Sequence, residues 1–302
     1  MTSIRRFPRW LKLSLGTCAL VAVCTVAPTS IEARGGGAAP QPRTNPNQAL
    51  GRQLFDQCVR WVARGGQGVA RTTDFFIGVT AELDLDTSRH RGPMRLWWKA
   101  PDKYRQAMTT GGRTTTKILN NDFMWIIHPN NSVQRMHGTP DGASAVRQLK
   151  DDRERMADLA QFITLRSLAG PGVTFDFNGE KTGSGSYRGQ WVKITRRAPG
   201  ATLMHFWLGY TKDARGAYMA TYPGIIRVEG DAQRRIPTED FILKSWVDSP
   251  PGRGPQFRYP REIEAFSISP GQPSLRFLKA TVNSIRINSG IPDTQFKPPA
   301  RR

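Results

Sequence analysis

The chain has 302 residues, a formal net charge of +20 and 38% hydrophobic residues, with 22 Pro and 29 Gly. A chain of this size so rich in Pro and Gly is turn-rich, which argues against a helical bundle and for a β protein of one large or two small domains. Two of the three Cys, Cys18 and Cys24, precede residue 34, so a domain beginning after them holds one thiol, Cys58, and rests on its core rather than on a disulfide.

At the N-terminus Arg5, Arg6, Arg9 and Lys12 precede an apolar run from Leu13 to Ala27. The run is too short for a comfortable membrane span and is followed by small and polar residues, the pattern of a secretory signal. Ile31-Glu32-Ala33 puts a small residue before a cut, so residues 1–33 read as a signal peptide cleaved after Ala33; an N-terminal anchor that is retained is the rival. Cys24 follows Val23 and Cys18 lies early in the run, which argues against a lipoprotein signal. The segment carries four basic residues and Glu32, a net +3, leaving +17 on the rest. For an exported protein no nucleic acid partner is expected, and anionic membrane surfaces or acidic lipid head groups are better candidates. A solvated, Arg-rich surface accounts for the charge equally well.

Residues 34–47 (RGGGAAPQPRTNPN) read as a flexible linker. Gln48–Arg64 is predicted as an amphipathic helix, with Leu50, Leu54, Cys58 and Trp61 on one stripe beside Phe55 and Val62, stopped by Gly65-Gly66. Cys58 falls on the apolar side, as a buried, inert thiol. Asp74–Asp86 alternates: Phe75, Ile77, Val79, Ala81, Leu83 and Leu85 face one way, Thr80, Glu82, Asp84 and Asp86 the other, as in a half-buried strand. Thr87–Gly92 is expected to turn the chain, and Met94, Leu96 and Trp98 continue the apolar face. Pro101-Asp102 bends into a strand over Tyr104–Met108. Thr114–Leu119 and Phe123–His128 are joined by Asn120-Asn121-Asp122, and Val133–Met136 adds a short strand.

Ser144–Ala169 is predicted helical from Val146, Leu149, Met156, Leu159, Phe162 and Ile163, with Asp151-Asp152 as a place for a break and Gly170-Pro171-Gly172 as the stop. Further strands are expected at Val173–Phe177, Gln190–Thr195, Leu203–Tyr210, Gly224–Val228, Phe241–Val247, Glu262–Ser269 and Leu275–Asn288, with loops at Gly179–Gly189 and Ser249–Pro255. Eleven to thirteen strands and two main helices, in the order helix, strands, helix, strands, suit a single antiparallel sheet with helices on one face.

Leu96-Trp97-Trp98-Lys99-Ala100-Pro101-Asp102-Lys103-Tyr104-Arg105, then Ile118-Leu119-Asn120-Asn121-Asp122, Trp125 and the loop at Pro129, resemble the outer-membrane lipoprotein carriers, the LolA-like proteins. Val282-Asn283, Ile291-Pro292-Asp293 and Phe296-Lys297-Pro298-Pro299 resemble that family's closing segment. The resemblance spans Gln48 to Ala300 and implies a mainly β (α+β) fold: a strongly curved, antiparallel, unclosed β-barrel with helices capping the concave face, built as a single domain over residues 48–300. It further implies a monomeric, non-enzymatic periplasmic carrier that takes an acylated lipoprotein or lipid and passes it between inner- and outer-membrane partners. In the family an Arg before the Pro helps to latch the helical lid; here that position is Ala100, with Lys99 before it.

On that reading the cavity candidates are Val79, Ala81, Leu83, Met94, Leu96, Trp98, Tyr104, Met108 and Trp125, and the lid candidates are Leu54, Trp61, Leu159 and Phe162. Burying ten methylenes would hold a chain by about 8 kcal/mol before costs. The alternatives are a lipid- or lipoprotein-sensing module of the same fold, a secreted binding protein for another ligand, and a hydrolase with scattered catalytic residues. His90, His128, His137 and His205 show no metal-ligand spacing, though His128 and His137 could meet across a hairpin, and no Ser lies in G-x-S-x-G. The histidines read as surface or turn residues, Glu262 and Glu264 as a solvated strand face, and Arg196-Arg197 and Arg234-Arg235 as surface charges. No metal or cofactor is expected.

Overall fold

The computed structural model describes residues 45–299 except 86–87, 122, 137–139, 184–187, 232, 234–235 and 253. The expected signal peptide, its cleavage point, Arg234-Arg235 and His137 lie outside these residues. The elements are α1 (Pro46–Val62), β1 (Asp74–Leu85), β2 (Ser88–Lys99), β3 (Lys103–Thr110), β4 (Arg113–Asn120), β5 (Phe123–Ile127), β6 (Val133–Met136), α2 (Pro140–Thr164), β7 (Thr174–Gly183), β8 (Gly189–Arg197), β9 (Met204–Lys212), β10 (Tyr218–Val228), β11 (Thr238–Asp248), β12 (Arg258–Ile268) and β13 (Leu275–Ile287). The strands are hydrogen-bonded in the linear order β6-β5-β4-β3-β2-β1-β13-β12-β11-β10-β9-β8-β7. The fold is therefore mainly β, antiparallel and unclosed.

The chain divides into two compact units. One holds Thr72–Ala160 with the described part of Val282–Arg302; the other holds Gln161–Thr281 with the described part of Ala22–Arg71. β13 contributes to both, pairing with β12 through Leu275–Thr281 in the second.

In the first unit β1 and β2 form one long hairpin, with Asp74 opposite Lys99 and Leu85 opposite Ser88. The turn expected over Thr87–Gly92 is thus shorter than the sequence indicated, and Gly92 lies inside β2. A Cβ there would sit 2.1 Å from the Thr109 carbonyl oxygen, so glycine is what lets β3 come alongside. The predicted apolar face is continuous in register: Phe75, Ile77 and Val79 oppose Trp98, Leu96 and Met94, which oppose Tyr104, Gln106 and Met108.

β1 is not half-buried, as its alternation implied. Its other face carries a cross-strand row of Phe76, Trp97, Arg105, Ile118 and Trp125, and Phe76 and Ile118 are buried against Ile291 and Phe296. The cover is the C-terminal segment, which crosses this face and ends in a 3-10 turn at Asp293–Phe296. It is anchored along its length. Asn288 Oδ1 accepts from the Thr73 amide at 2.7 Å, and Asp74 accepts from the Ser289 and Gly290 amides. Lys99 Nζ donates to the Ile291 carbonyl at 2.9 Å and to Asp293 at 2.7 Å, and Lys103 reaches the other Asp293 oxygen at 2.7 Å. Arg105 donates to the Gln295 carbonyl and lies over the Trp97 ring. Lys99, which precedes Ala100, is therefore committed to this strap.

Lys103 and Lys99 hold the Asp293 carboxyl down at about 2. A carboxylate depressed in the folded state stabilises above its unfolded value, and the contribution fades as pH falls from about 4 towards 2. Backbone hydrogen-exchange protection of residues 291–296 is expected to weaken over that interval. Asp293→Asn should remove the pH dependence, and a wild-type profile that stays flat would contradict the anchoring.

In the second unit α1 begins two residues before the expected start, because Asn45 accepts from the Asn47 amide as an N-cap and Pro46 suits the first turn. Phe55 stacks on Phe175 at 4.1 Å and meets Phe206 edge-on at 5.7 Å. Gly51 makes this seating possible: a Cβ would stand 2.1 Å from the Phe175 carbonyl oxygen. Cys58 is fully buried, and burial pushes its thiol far above the ordinary range, which makes it inert.

β7, α2 and Arg196 also depart from the expectations. β7 runs to Gly183 through a bulge between Phe177 and Glu180, with Gly179 at φ 89, so much of the expected Gly179–Gly189 loop is strand. α2 starts at Pro140 rather than Ser144, runs unbroken through Asp151-Asp152 and stops at Thr164, where Leu165 takes φ 56 and a 3-10 turn follows over Arg166–Leu168. Arg197 is an exposed partner of Asp176, but Arg196 is half-buried, donates to the Leu168 carbonyl at 2.8 Å, and has its pKa lowered by desolvation.

Candidate apolar ligand site

Most of the cavity residues read from the sequence come together. Val79, Ala81, Met94, Leu96, Trp98 and Tyr104 are buried on one face of β1–β3, with Met108 half-buried beside them. Trp125 does not join them; it lies on the opposite face, against the C-terminal strap. The side chains of Leu83 and Leu159 lie outside the described set. Leu54 is fully buried on α1, Phe162 packs 6.2 Å from Phe241, and Trp61 lies elsewhere, in a pocket wall.

That pocket lies within the second unit, where two strands part. β10 and β11 are paired over Ile225–Val228 and Ile242–Glu239, and among the described residues their pairing stops there. Beyond it β10 stays with β9 and β11 stays with β12. The chain causes this locally. Pro223 has no N–H to donate, β10 shifts register twice, at Ala220/Tyr222 and at Pro223/Ile225, and Ser245 of β11 takes φ 55. The opening is a cavity of about 390 Å³ lined by Trp61, Trp191, Tyr222, Ile225, Ile242, Leu243 and Trp246, with Arg188, Lys244, Ser245 and Gly224 completing it.

The aromatic walls brace one another. Trp61 meets Trp246 at 5.4 Å and Tyr222 at 5.8 Å, and Trp191 meets Tyr222 at 5.7 Å. Gly224 gives the Trp191 ring its place, since a Cβ there would lie 2.3 Å from it. The indole N–H of Trp246 is shut off from solvent and has no acceptor among the described residues. Lys244 is paired with Glu264 at 2.9 Å, and Ser245 donates to Glu262, so the two glutamates of β12 are engaged with neighbouring side chains rather than simply solvated.

His205 is also not a surface residue. Its Nδ1 lies 2.9 Å from the Thr195 hydroxyl and its Nε2 lies 3.0 Å from Glu229. Desolvation, then the nearby Lys193, lowers its pKa. The order Thr, His, Glu has the outline of a nucleophile relay, but the Thr195 hydroxyl donates to Asn178 at 2.5 Å instead of to the imidazole, and Thr195 is buried. A nucleophile must give its proton to the base and reach a substrate; this one does neither, and the cluster ties β7, β8 and β9 together.

The solved structures similar to this chain include two described as follows. A domain described as outer membrane lipoprotein-sorting, from Vibrio parahaemolyticus, superposes with a TM-score of 0.39 at 11% identity, covering 83% of this chain and 96% of that one. A LolA superfamily protein from Nitrosomonas europaea gives a TM-score of 0.41 at 7% identity, covering 82% of this chain and 97% of that one. No protein-family profile matches the chain, and no curated protein matches it.

Sequence reasoning found Trp61 but missed the rest of this pocket. The signal was present as Tyr222-Pro223-Gly224-Ile225-Ile226, a Pro-Gly pair inside a strand pattern, which marks a bulge or a close backbone approach.

Proposed function

We propose that the chain is an exported, non-catalytic carrier that holds an acyl chain of a lipid or lipoprotein in the pocket between β10 and β11. The observation that carries this reading is the parting of two paired strands around a cavity walled by three Trp, a Tyr and three aliphatic side chains. A volume of about 390 Å³ falls within the range of small-ligand sites. Each methylene moved from water into it contributes about 0.8 kcal/mol, so a chain is retained by length and released to any partner that buries more of it. In this reading the protein works in the periplasm and hands its cargo towards the outer membrane.

Gly224→Val tests the site. The added side chain must displace the Trp191 ring, which fills the cavity. Titration with a fluorescent fatty acid is expected to show at least tenfold weaker binding than wild type, the loss of about two methylenes of contact. Unchanged affinity in a folded Gly224→Val protein would remove the pocket from the account.

A further inference from the structure

The walls of the pocket meet at steep angles, 77° between Trp61 and Trp246 and 85° between Trp191 and Tyr222. By shape alone such a box suits a quaternary ammonium group. The surrounding charges point the other way. The Arg258 guanidinium already lies 4.6 Å from the Trp61 ring centroid, and Lys244 and Arg188 are wall residues. A second cation would enter against three.

These three are not equivalent. Arg258 is paired with Asp248 at 3.2 Å and Lys244 with Glu264 at 2.9 Å. Arg188 is exposed, and among the described residues its side chain has neither an ion pair nor a hydrogen bond. The pocket therefore combines apolar walls with one arginine, Arg188, that has no polar partner among the described residues. A guanidinium of this kind takes a carboxylate or phosphate through paired N–H donors. We propose that the ligand is an anionic amphiphile, its chain against the aromatic walls and its carboxylate or phosphate head on Arg188. This rests on the carrier reading and adds the head-group chemistry to it.

The experiment compares four probes on the full chain and on Arg188→Gln: myristate, myristoyl lysophosphatidic acid, myristyl alcohol and myristoyl lysophosphatidylcholine. Wild type is expected to bind at least one of the two anions about tenfold more tightly than the alcohol, as one charge-assisted contact provides. The tighter anion tells a carboxylate from a phosphate ligand. Arg188→Gln should bring the anions to the affinity of the alcohol and leave the alcohol unchanged. Equal binding of alcohol and anions in wild type, tightest binding of the choline lipid, or an anion preference that survives Arg188→Gln would each overturn the head-group assignment while leaving the carrier standing. Failure of all four probes to bind would overturn the carrier itself.

Discussion

Gly51→Val is expected to unseat α1 and to lower stability by about 3 kcal/mol or more. The helix approaches β7 so closely that a Cβ at this position would stand 2.1 Å from a backbone carbonyl oxygen, and backbone cannot rotate aside as a side chain can. Ordinary overpacking costs about 1–3 kcal/mol; here the helix must also withdraw, which breaks the Phe55–Phe175 stack and exposes Leu54 and Cys58. Cys58 reports the outcome directly. In protein lacking residues 1–33 it is the remaining thiol, buried and protonated. Wild type should react with a thiol reagent only on unfolding, Gly51→Ala faster, and Gly51→Val at a rate near that of an exposed thiol. Slow reaction and an unchanged urea midpoint in Gly51→Val would show that the helix is not held at this distance. The same contact bears on the lid expected from the sequence. Leu54 belongs to a tight seat, whereas Trp61, two turns on, belongs to the pocket wall. The part of α1 available to respond to a ligand is its last turn.

Phe296→Ala is expected to cost about 3–5 kcal/mol, the usual loss for a fully buried Phe. Phe296 lies in the C-terminal strap and is completely buried with Phe76, Ile118 and Ile291. Its removal leaves a hole under the row of Trp97 and Trp125 on β2 and β5. Equilibrium urea unfolding measures the effect, with Leu275→Ala, at an exposed site, as the comparison expected to stay within about 0.5 kcal/mol. Should the Ala variant fail to fold, Phe296→Leu should still lose stability by about 1 kcal/mol. A loss at Phe296→Ala no greater than at Leu275→Ala would mean the strap does not complete the core.

The sequence was most informative where one physical rule acts alone. Alternation over Phe75–Leu85 and Met94–Trp98 placed the first hairpin, and Asn120-Asn121 placed a turn in which Asn121 takes φ 53. It was misleading where a distant segment decides burial. Phe76 and Trp97 fall on the face that β1 alternation assigns to solvent, and nothing near them indicates that residues 291–296 will cover them. For the same reason Trp125 was grouped with Trp98: both are wide aromatics of one sheet, on β5 and β2 with β4 and β3 between them, and only the register separates their faces. The pocket was hidden differently. Trp61 read as a lid residue, Trp191 and Trp246 only as parts of expected strands and Tyr222 as part of none, and they become a site because Pro223 and Ser245 part β10 from β11.

The eight Trp of the chain supply the most direct test. With isotope-labelled tryptophan, each indole N–H gives its own resonance, and titration with myristate reveals which rings meet the chain. The resonances of Trp61, Trp191 and Trp246 are expected to shift together and saturably, while those of Trp97, Trp98 and Trp125 stay in place. Shifts confined to Trp98, or no saturable shift at Trp61, Trp191 and Trp246, would contradict the assignment of the acyl chain to the parting of β10 and β11.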